Sequence, residues 1–185
     1  MSARDTRIDE LFPDLLETDV AEGATNTATR DRRAELLATL RPATRLEGFV
    51  RRLSTFLDLG PERVRNLLRE VGDVRAASWT DDQVAGVRLL HFDGGPRHAT
   101  ADCGLVHVGP GQRYPRHHHP GDEWSLVLAG SAVEEETGVV WEPGDIVHNA
   151  AGSTHAFRAI GDEPFVFAVV LADGIEIVET ADDAR

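Results

Sequence analysis

Between residues 111 and 155 the chain carries a spacing that few folds accommodate. It reads Gly111, five residues, His117, one, His119, three, Glu123, six, Gly130, and later Gly144, five, Ala150, one, Gly152, two, His155. All eight histidines lie between His91 and His155, three of them consecutive at 117 to 119. On a β-strand successive side chains alternate faces, so His117 and His119 point one way and His118 the other. Pro120-Gly121-Asp122 then turns the chain, and Glu123 opens the next strand. His155 arrives from a distant strand. The four side chains predict a site for one divalent ion, with ligand atoms about 2.0 to 2.2 Å from a zinc-sized metal. Imidazole and carboxylate suit zinc, iron or manganese alike.

The flanking pattern agrees with a β-barrel. Short apolar runs (Val87 to Phe92, Gly104 to Val108, Trp124 to Leu128, Ile146 to Val147, Phe165 to Leu171) alternate with Gly- and Pro-rich turns such as Gly109-Pro110-Gly111 and Pro143-Gly144-Asp145. Residues 1 to 75 instead read as helical, through Leu36, Leu37 and Leu40, then Leu46, Phe49, Val50, Leu53, Phe56 and Leu57. Leu59-Gly60-Pro61 stops one helix and starts another through Val64, Leu67, Leu68 and Val71. The expected organisation is a helical region over 1–75 and a barrel over 76–185.

Charge and cysteine usage narrow the chemistry. A net charge of -13 opposes binding to nucleic acid or anionic lipid, even though the Gly60 hairpin has the outline of a helix-turn-helix. The lone Cys103 rules out an internal disulfide and every multi-cysteine zinc motif. No stretch approaches the roughly 20 apolar residues of a membrane span, and the charged N-terminus has no signal-peptide core, so a cytoplasmic location is expected. If Glu123 faces the barrel interior, Trp124, Leu126 and Leu128 face outward. That apolar row predicts a homodimer or a cover of helices.

Both spacings resemble the two cupin motifs, the second with Ala150 where the motif usually has Pro. The resemblance extends over roughly residues 85 to 175 and implies a mainly β fold, the double-stranded β-helix or cupin jelly-roll barrel, behind an N-terminal helical segment. The stretch His117-His118-His119-Pro120-Gly121-Asp122-Glu123-Trp124-Ser125-Leu126-Val127-Leu128-Ala129-Gly130, followed by Glu-Thr-Gly and Pro-Gly-Asp, resembles the cupin-like domain of the ChrR anti-sigma factors. That family binds zinc through these four positions and responds to oxidative stress. Its separate N-terminal helical domain holds the sigma factor with further His and Cys zinc ligands, and residues 1 to 75 contain neither residue type. The segment Tyr114-Pro115-Arg116-His117-His118-His119-Pro120 also resembles the dimethylsulfoniopropionate lyases, which likewise place helices before the barrel. Their pattern carries a catalytic Tyr two residues after the ligand Glu. This chain has Ser125 there, a departure that points away from the lyases.

Two functional expectations follow. In the first, suggested by the ChrR resemblance, the chain is a metal-binding regulator: the centre senses a small molecule or oxidant and the N-terminal helices carry the change to a protein partner. In the second it is a mononuclear non-haem metal-dependent enzyme, a dioxygenase before a lyase, acting on a small organic substrate. Tyr114 or His148 would then move protons while His117, His119, Glu123 and His155 hold the ion.

Overall fold

The computed structural model describes residues 46–178. The helical positions expected at Leu36, Leu37 and Leu40 lie outside them. Contacts divide the chain into two compact units, one ending at Gly72 and the other beginning at Asp73.

In the first unit, helix α1 spans Val50–Leu57 and α2 spans Pro61–Val71. Val50, Leu53, Phe56 and Leu57 recur at helical spacing and are all buried, as are Val64 and Leu68 on α2. Asp58 ends α1 in the left-handed conformation (φ 56°), and the Leu59 amide bonds back to the Ser54 carbonyl at 3.0 Å. Gly60 then gives the extended entry to Pro61, whose ring suits the first turn of α2.

The second unit is a two-sheet jelly roll. Its strands are β1 (Thr80–Asp81), β2 (Val87–Phe92), β3 (Asp102–Val108), β4 (Arg113–His118), β5 (Glu123–Ala129), β6 (Ser131–Glu134), β7 (Val140–Trp141), β8 (Ile146–Asn149), β9 (Thr154–Ile160), β10 (Phe165–Leu171) and β11 (Glu176–Ile177). One sheet runs β1-β2-β3-β10-β5-β8 and the other β11-β4-β9-β6-β7. Every pairing is antiparallel. This is the mainly β double-stranded β-helix that the motif spacing implies.

Register decides which side chains enter the barrel. Phe167 lies opposite both Val106 on β3 and Val127 on β5, and Leu171 lies opposite Glu123. With a period of two, Glu123, Ser125 and Val127 share the inner face with Phe167 and Val169, while Trp124, Leu126 and Leu128 face out. The inner core continues through Tyr114, Phe157, Ala132 and Trp141 from the other sheet. Gly130, the last residue of the first motif, shows why that position is glycine. Its φ is 65°, and a Cβ there would lie 2.2 Å from the Pro164 carbonyl oxygen.

Candidate metal centre and cavity

His117 and His155 are register partners across β4 and β9, which places their rings side by side, 4.5 Å between centroids. His119 follows the end of β4. Its amide donates to the Ser153 carbonyl (3.0 Å) and its own carbonyl accepts from the Gly152 amide (2.7 Å), which ties this segment to the turn before β9. The second motif therefore delivers His155 and also holds the backbone of His119. The three rings are buried, and one nitrogen from each lies within 4.8 Å of the other two.

Hydrogen bonds decide which nitrogens are free. His117 Nδ1 donates to the Pro115 carbonyl at 2.9 Å, and His155 Nδ1 lies 3.3 Å from Glu134 Oε1. Each ring thereby carries its proton on the outer nitrogen and presents a bare Nε2 to the cluster. These two Nε2 atoms are 3.0 Å apart. Two lone pairs at that separation repel unless a cation lies between them. Both nitrogens of His119 are buried without a hydrogen-bond partner. A buried, unpaired imidazole is costly in a dry core and ordinary in a metal site. Burial pushes all three imidazoles below their usual value, His119 to about 3 and His155 to about 4; the neighbouring rings add to the effect at His119 and His155, while the Glu136 carboxylate opposes it at His117 and His155. They are neutral at pH 7, the form that ligates a metal. The donor set fits a divalent ion.

Glu123 borders this cluster. Its Oε2 is 3.7 Å from His119 Nδ1, while Oε1 accepts from Ser125 Oγ at 3.0 Å and Asn149 Nδ2 at 3.2 Å. Burial raises its carboxyl to about 7, against the opposing pull of those two hydrogen bonds. Oε1 is thus occupied by the protein, and Oε2 is the oxygen left to face the imidazoles.

A cavity of about 250 Å³ opens beside the centre, with Tyr114, His117 and Glu123 in its wall alongside Phe157, Phe167 and Val169. Simple alternation would turn Tyr114 away from His117, three residues on. A bulge in the β4–β9 pairing between Tyr114 and His117 restores both to the inner face. Tyr114, the one tyrosine of the sequence, stacks on Phe157 with ring planes 4° apart and donates its hydroxyl to Asp82 Oδ2 at 3.0 Å. Burial, then the Asp82 carboxylate, raises its pKa, so Tyr114 is a neutral phenol.

His148, the other residue singled out for proton transfer, is placed elsewhere. It lies opposite Trp124 in the β5–β8 pairing, stacks on that indole at 3.9 Å and contacts Asp122 Oδ1 at 3.2 Å. This is the face opposite to Glu123, and His148 is absent from the cavity wall.

Three polar residues of the site escape a reading of the sequence. Asp82 comes from the turn after β1, about 30 residues before its phenol partner. Asn149 stands beside the atypical Ala150 of the second motif. Glu134 begins the run Glu134-Glu135-Glu136, which reads as a solvated acidic turn. Only Asn149 carries a local signal, as an amide on the strand that ends at the motif.

Among the described residues no helix is long and apolar enough to cross a membrane. No curated protein matches the chain in sequence. Solved structures with a similar backbone include a cupin-like-fold protein of unknown function from Ralstonia eutropha (TM-score 0.42, 20% identity, covering 47% of this chain and 55% of that one). Others are a cupin-like protein from Thermotoga maritima (0.46, 21%, 60% and 88%) and the polyketide cyclase RemF from Streptomyces resistomycificus (0.45, 20%, 56% and 78%). The chain thus spans about half the length of the first of these. A family model described as dimethylsulfoniopropionate lyase matches residues 32–167, well over half of the sequence. Ser125 in place of a tyrosine therefore does not set the chain outside that group, and the more specific likeness to the ChrR domains has no counterpart in these matches. The chain belongs to the dimethylsulfoniopropionate lyase family of cupin barrels.

Proposed function

We propose that this protein is a metal-dependent lyase that eliminates a thioether from a small sulfonium carboxylate of the dimethylsulfoniopropionate type. The observation that carries this reading is the neutral phenol of Tyr114, bonded to Asp82, in the cavity wall beside the three imidazoles. A divalent ion held by His117, His119, His155 and Glu123 would supply a Lewis acid for the substrate carboxylate. The remaining requirements fall on the chain's own side chains.

A cavity of about 250 Å³ admits a molecule of this size. Its wall includes Asp82 and Asp102, besides the ligand Glu123, but neither Arg nor Lys, which favours a cationic group on the side away from the ion. Tyr114, Phe157 and Phe167 add aromatic faces for an onium centre. In the elimination the proton on the carbon next to the carboxylate passes to Tyr114 Oη. The proton already on Oη moves to Asp82 Oδ2. The C–H electrons become the new C=C bond, and the C–S electrons leave with the dimethyl sulfide. A phenol with a raised pKa suits such a relay better than it would suit a standing phenolate. Asp82 is then the terminal base. Ser125 keeps Glu123 in place through its hydrogen bond and takes no part in proton transfer.

The test is gas chromatography of dimethyl sulfide released from dimethylsulfoniopropionate by metal-loaded protein. Release by the wild type, at least 100-fold lower in Tyr114→Phe with metal content unchanged, supports the assignment. Turnover retained in Tyr114→Phe removes the relay, and no release with zinc, iron or manganese removes the lyase reading. Oxygen uptake by the iron-loaded protein would instead favour a dioxygenase. A sensory role draws support only from the short motif stretch. The outward row Trp124, Leu126 and Leu128 does not call for a second copy, because Leu126 and Leu128 are buried within the chain itself; the N-terminal helices motivate a protein partner, which co-purification tests.

A further inference from the structure

We infer that Glu134 is a positioning residue of the metal centre, a carboxylate that locks His155 in the ligating tautomer and orientation. The inference rests on the reading of His117, His119 and His155 as metal ligands. Glu134 is the last residue of β6, opposite Phe157 on β9. Its Oε1 is 3.3 Å from His155 Nδ1. Its Oε2 accepts from Thr137 Oγ1. The backbone of the same residue is closed into the β6–β7 turn at both ends. Its amide donates to the Val139 carbonyl and its carbonyl accepts from the Gly138 amide, each at 2.9 Å. The carboxylate is therefore held from one side by the turn and presents its other oxygen to the imidazole.

The consequence is specific to His155. An imidazole whose Nδ1–H is bound by a fixed carboxylate cannot flip without losing that bond, and its Nε2 is made a better donor. His117 has only the neutral Pro115 carbonyl in the same role, and His119 has no hydrogen-bond partner at either nitrogen, Glu123 Oε2 lying 3.7 Å from its Nδ1. Glu134 thus supplies the one charged anchor that the described hydrogen bonds give to these three rings. It adds a directly bonded carboxylate to a site where the charge of Glu136 acts on His117 and His155 through space alone. Glu136 provides an internal comparison. It lies in the same turn and accepts from the Ala156 amide at 3.0 Å, but it pairs with Arg116 and makes no hydrogen bond to a ligand ring.

The experiment measures affinity for Zn²⁺ alone, by competition with a chromophoric chelator, for the full-length wild type, Glu134→Ala, Glu134→Gln and Glu136→Gln, each checked for folding by circular dichroism. The inference expects Glu134→Ala to lose about 10- to 100-fold in affinity. Glu134→Gln, which keeps an acceptor oxygen, should lose less, and Glu136→Gln, which removes a charge that reaches the rings only through space, should lose least. With Co²⁺ bound instead, the visible absorption bands should shift in Glu134→Ala and stay unshifted in Glu136→Gln. A Glu134→Ala affinity within about twofold of the wild type overturns the inference while leaving the metal centre intact. So does an equal loss in Glu136→Gln, which would make the effect one of overall charge. If Glu134→Ala does not fold, the order Glu134→Gln weaker than Glu136→Gln carries the same decision. A wild type that binds no Zn²⁺ overturns the metal centre itself, and this inference with it.

Discussion

Acid should unfold the metal-free protein more steeply than the net charge of the chain would suggest, because the imidazoles of the centre are buried in their neutral form. The folded values of His119 and His155 are pushed from 6.5 to about 3 and about 4, and His117 moves the same way. Each therefore takes up a proton on unfolding once the pH falls below 6.5. Glu123 acts in the opposite sense. Its folded value is raised from 4.5 to about 7, so between those limits the folded carboxyl is protonated and unfolding releases that proton. Stability from the histidines is present above 6.5 and is lost as the pH falls; stability from Glu123 is present below 4.5 and is lost as the pH rises through 7. Across the window from 6.5 to 4.5 the net uptake on unfolding is one proton from His119, His155 and Glu123 together, and as many as two with His117. At about 1.4 kcal/mol per proton per pH unit, the slope is about 1.4 to 3 kcal/mol per unit. Over the window this reaches about 3 to 5 kcal/mol, a large share of the roughly 5 to 15 kcal/mol that holds a domain together. Urea denaturation at pH 6.5, 5.5 and 4.5, with a chelator present, reads the slope directly. His119→Ala should lower it by about one proton's worth. A stability that is flat or rises on acidification would refute the burial argument on which the centre rests.

Other outcomes follow from packing. Gly130→Ala combines a φ of 65° with a Cβ contact of 2.2 Å to the Pro164 carbonyl, and should cost at least about 2 kcal/mol in urea denaturation; a neutral result would show that the turn can shift. Phe157→Ala empties a position that packs on Tyr114, Phe165 and Phe167. It should cost about 3 to 5 kcal/mol by the same assay. It should also lower turnover, since it removes the ring on which Tyr114 rests.

Much of this site was legible in advance because the determinants were local. Strand alternation places His117 on the inner face, the Pro120-Gly121-Asp122 turn returns the chain so that Glu123 faces inward, and the second motif supplies His155. Gly130 and Gly152 mark turns that side chains resist. The missing parts depend on events that have no local code. Tyr114 shares a face with His117 only because of a bulge, which an alternating pattern does not announce. Asp82 reaches the phenol through the closure of the barrel, and Glu134 looks like any solvated acid until register sets it behind His155. His148 failed to reach the cavity for the converse reason: its strand position is clear, but its partner in the register is the outward Trp124. Ser125 bears on activity rather than on family: a serine stands where the lyase pattern has a tyrosine after Glu123, and the single tyrosine of the chain stands in the cavity wall at 114.

The measurement closest to the central claim is metal analysis of the purified protein by inductively coupled plasma mass spectrometry, on the wild type and on the variant His117→Ala/His119→Ala/His155→Ala. The account predicts about one divalent ion per wild-type chain and almost none in the variant, with the barrel still folded by circular dichroism. A wild type that loads no metal at saturating Zn²⁺, Fe²⁺ or Mn²⁺, or a variant that retains a full equivalent, would contradict it.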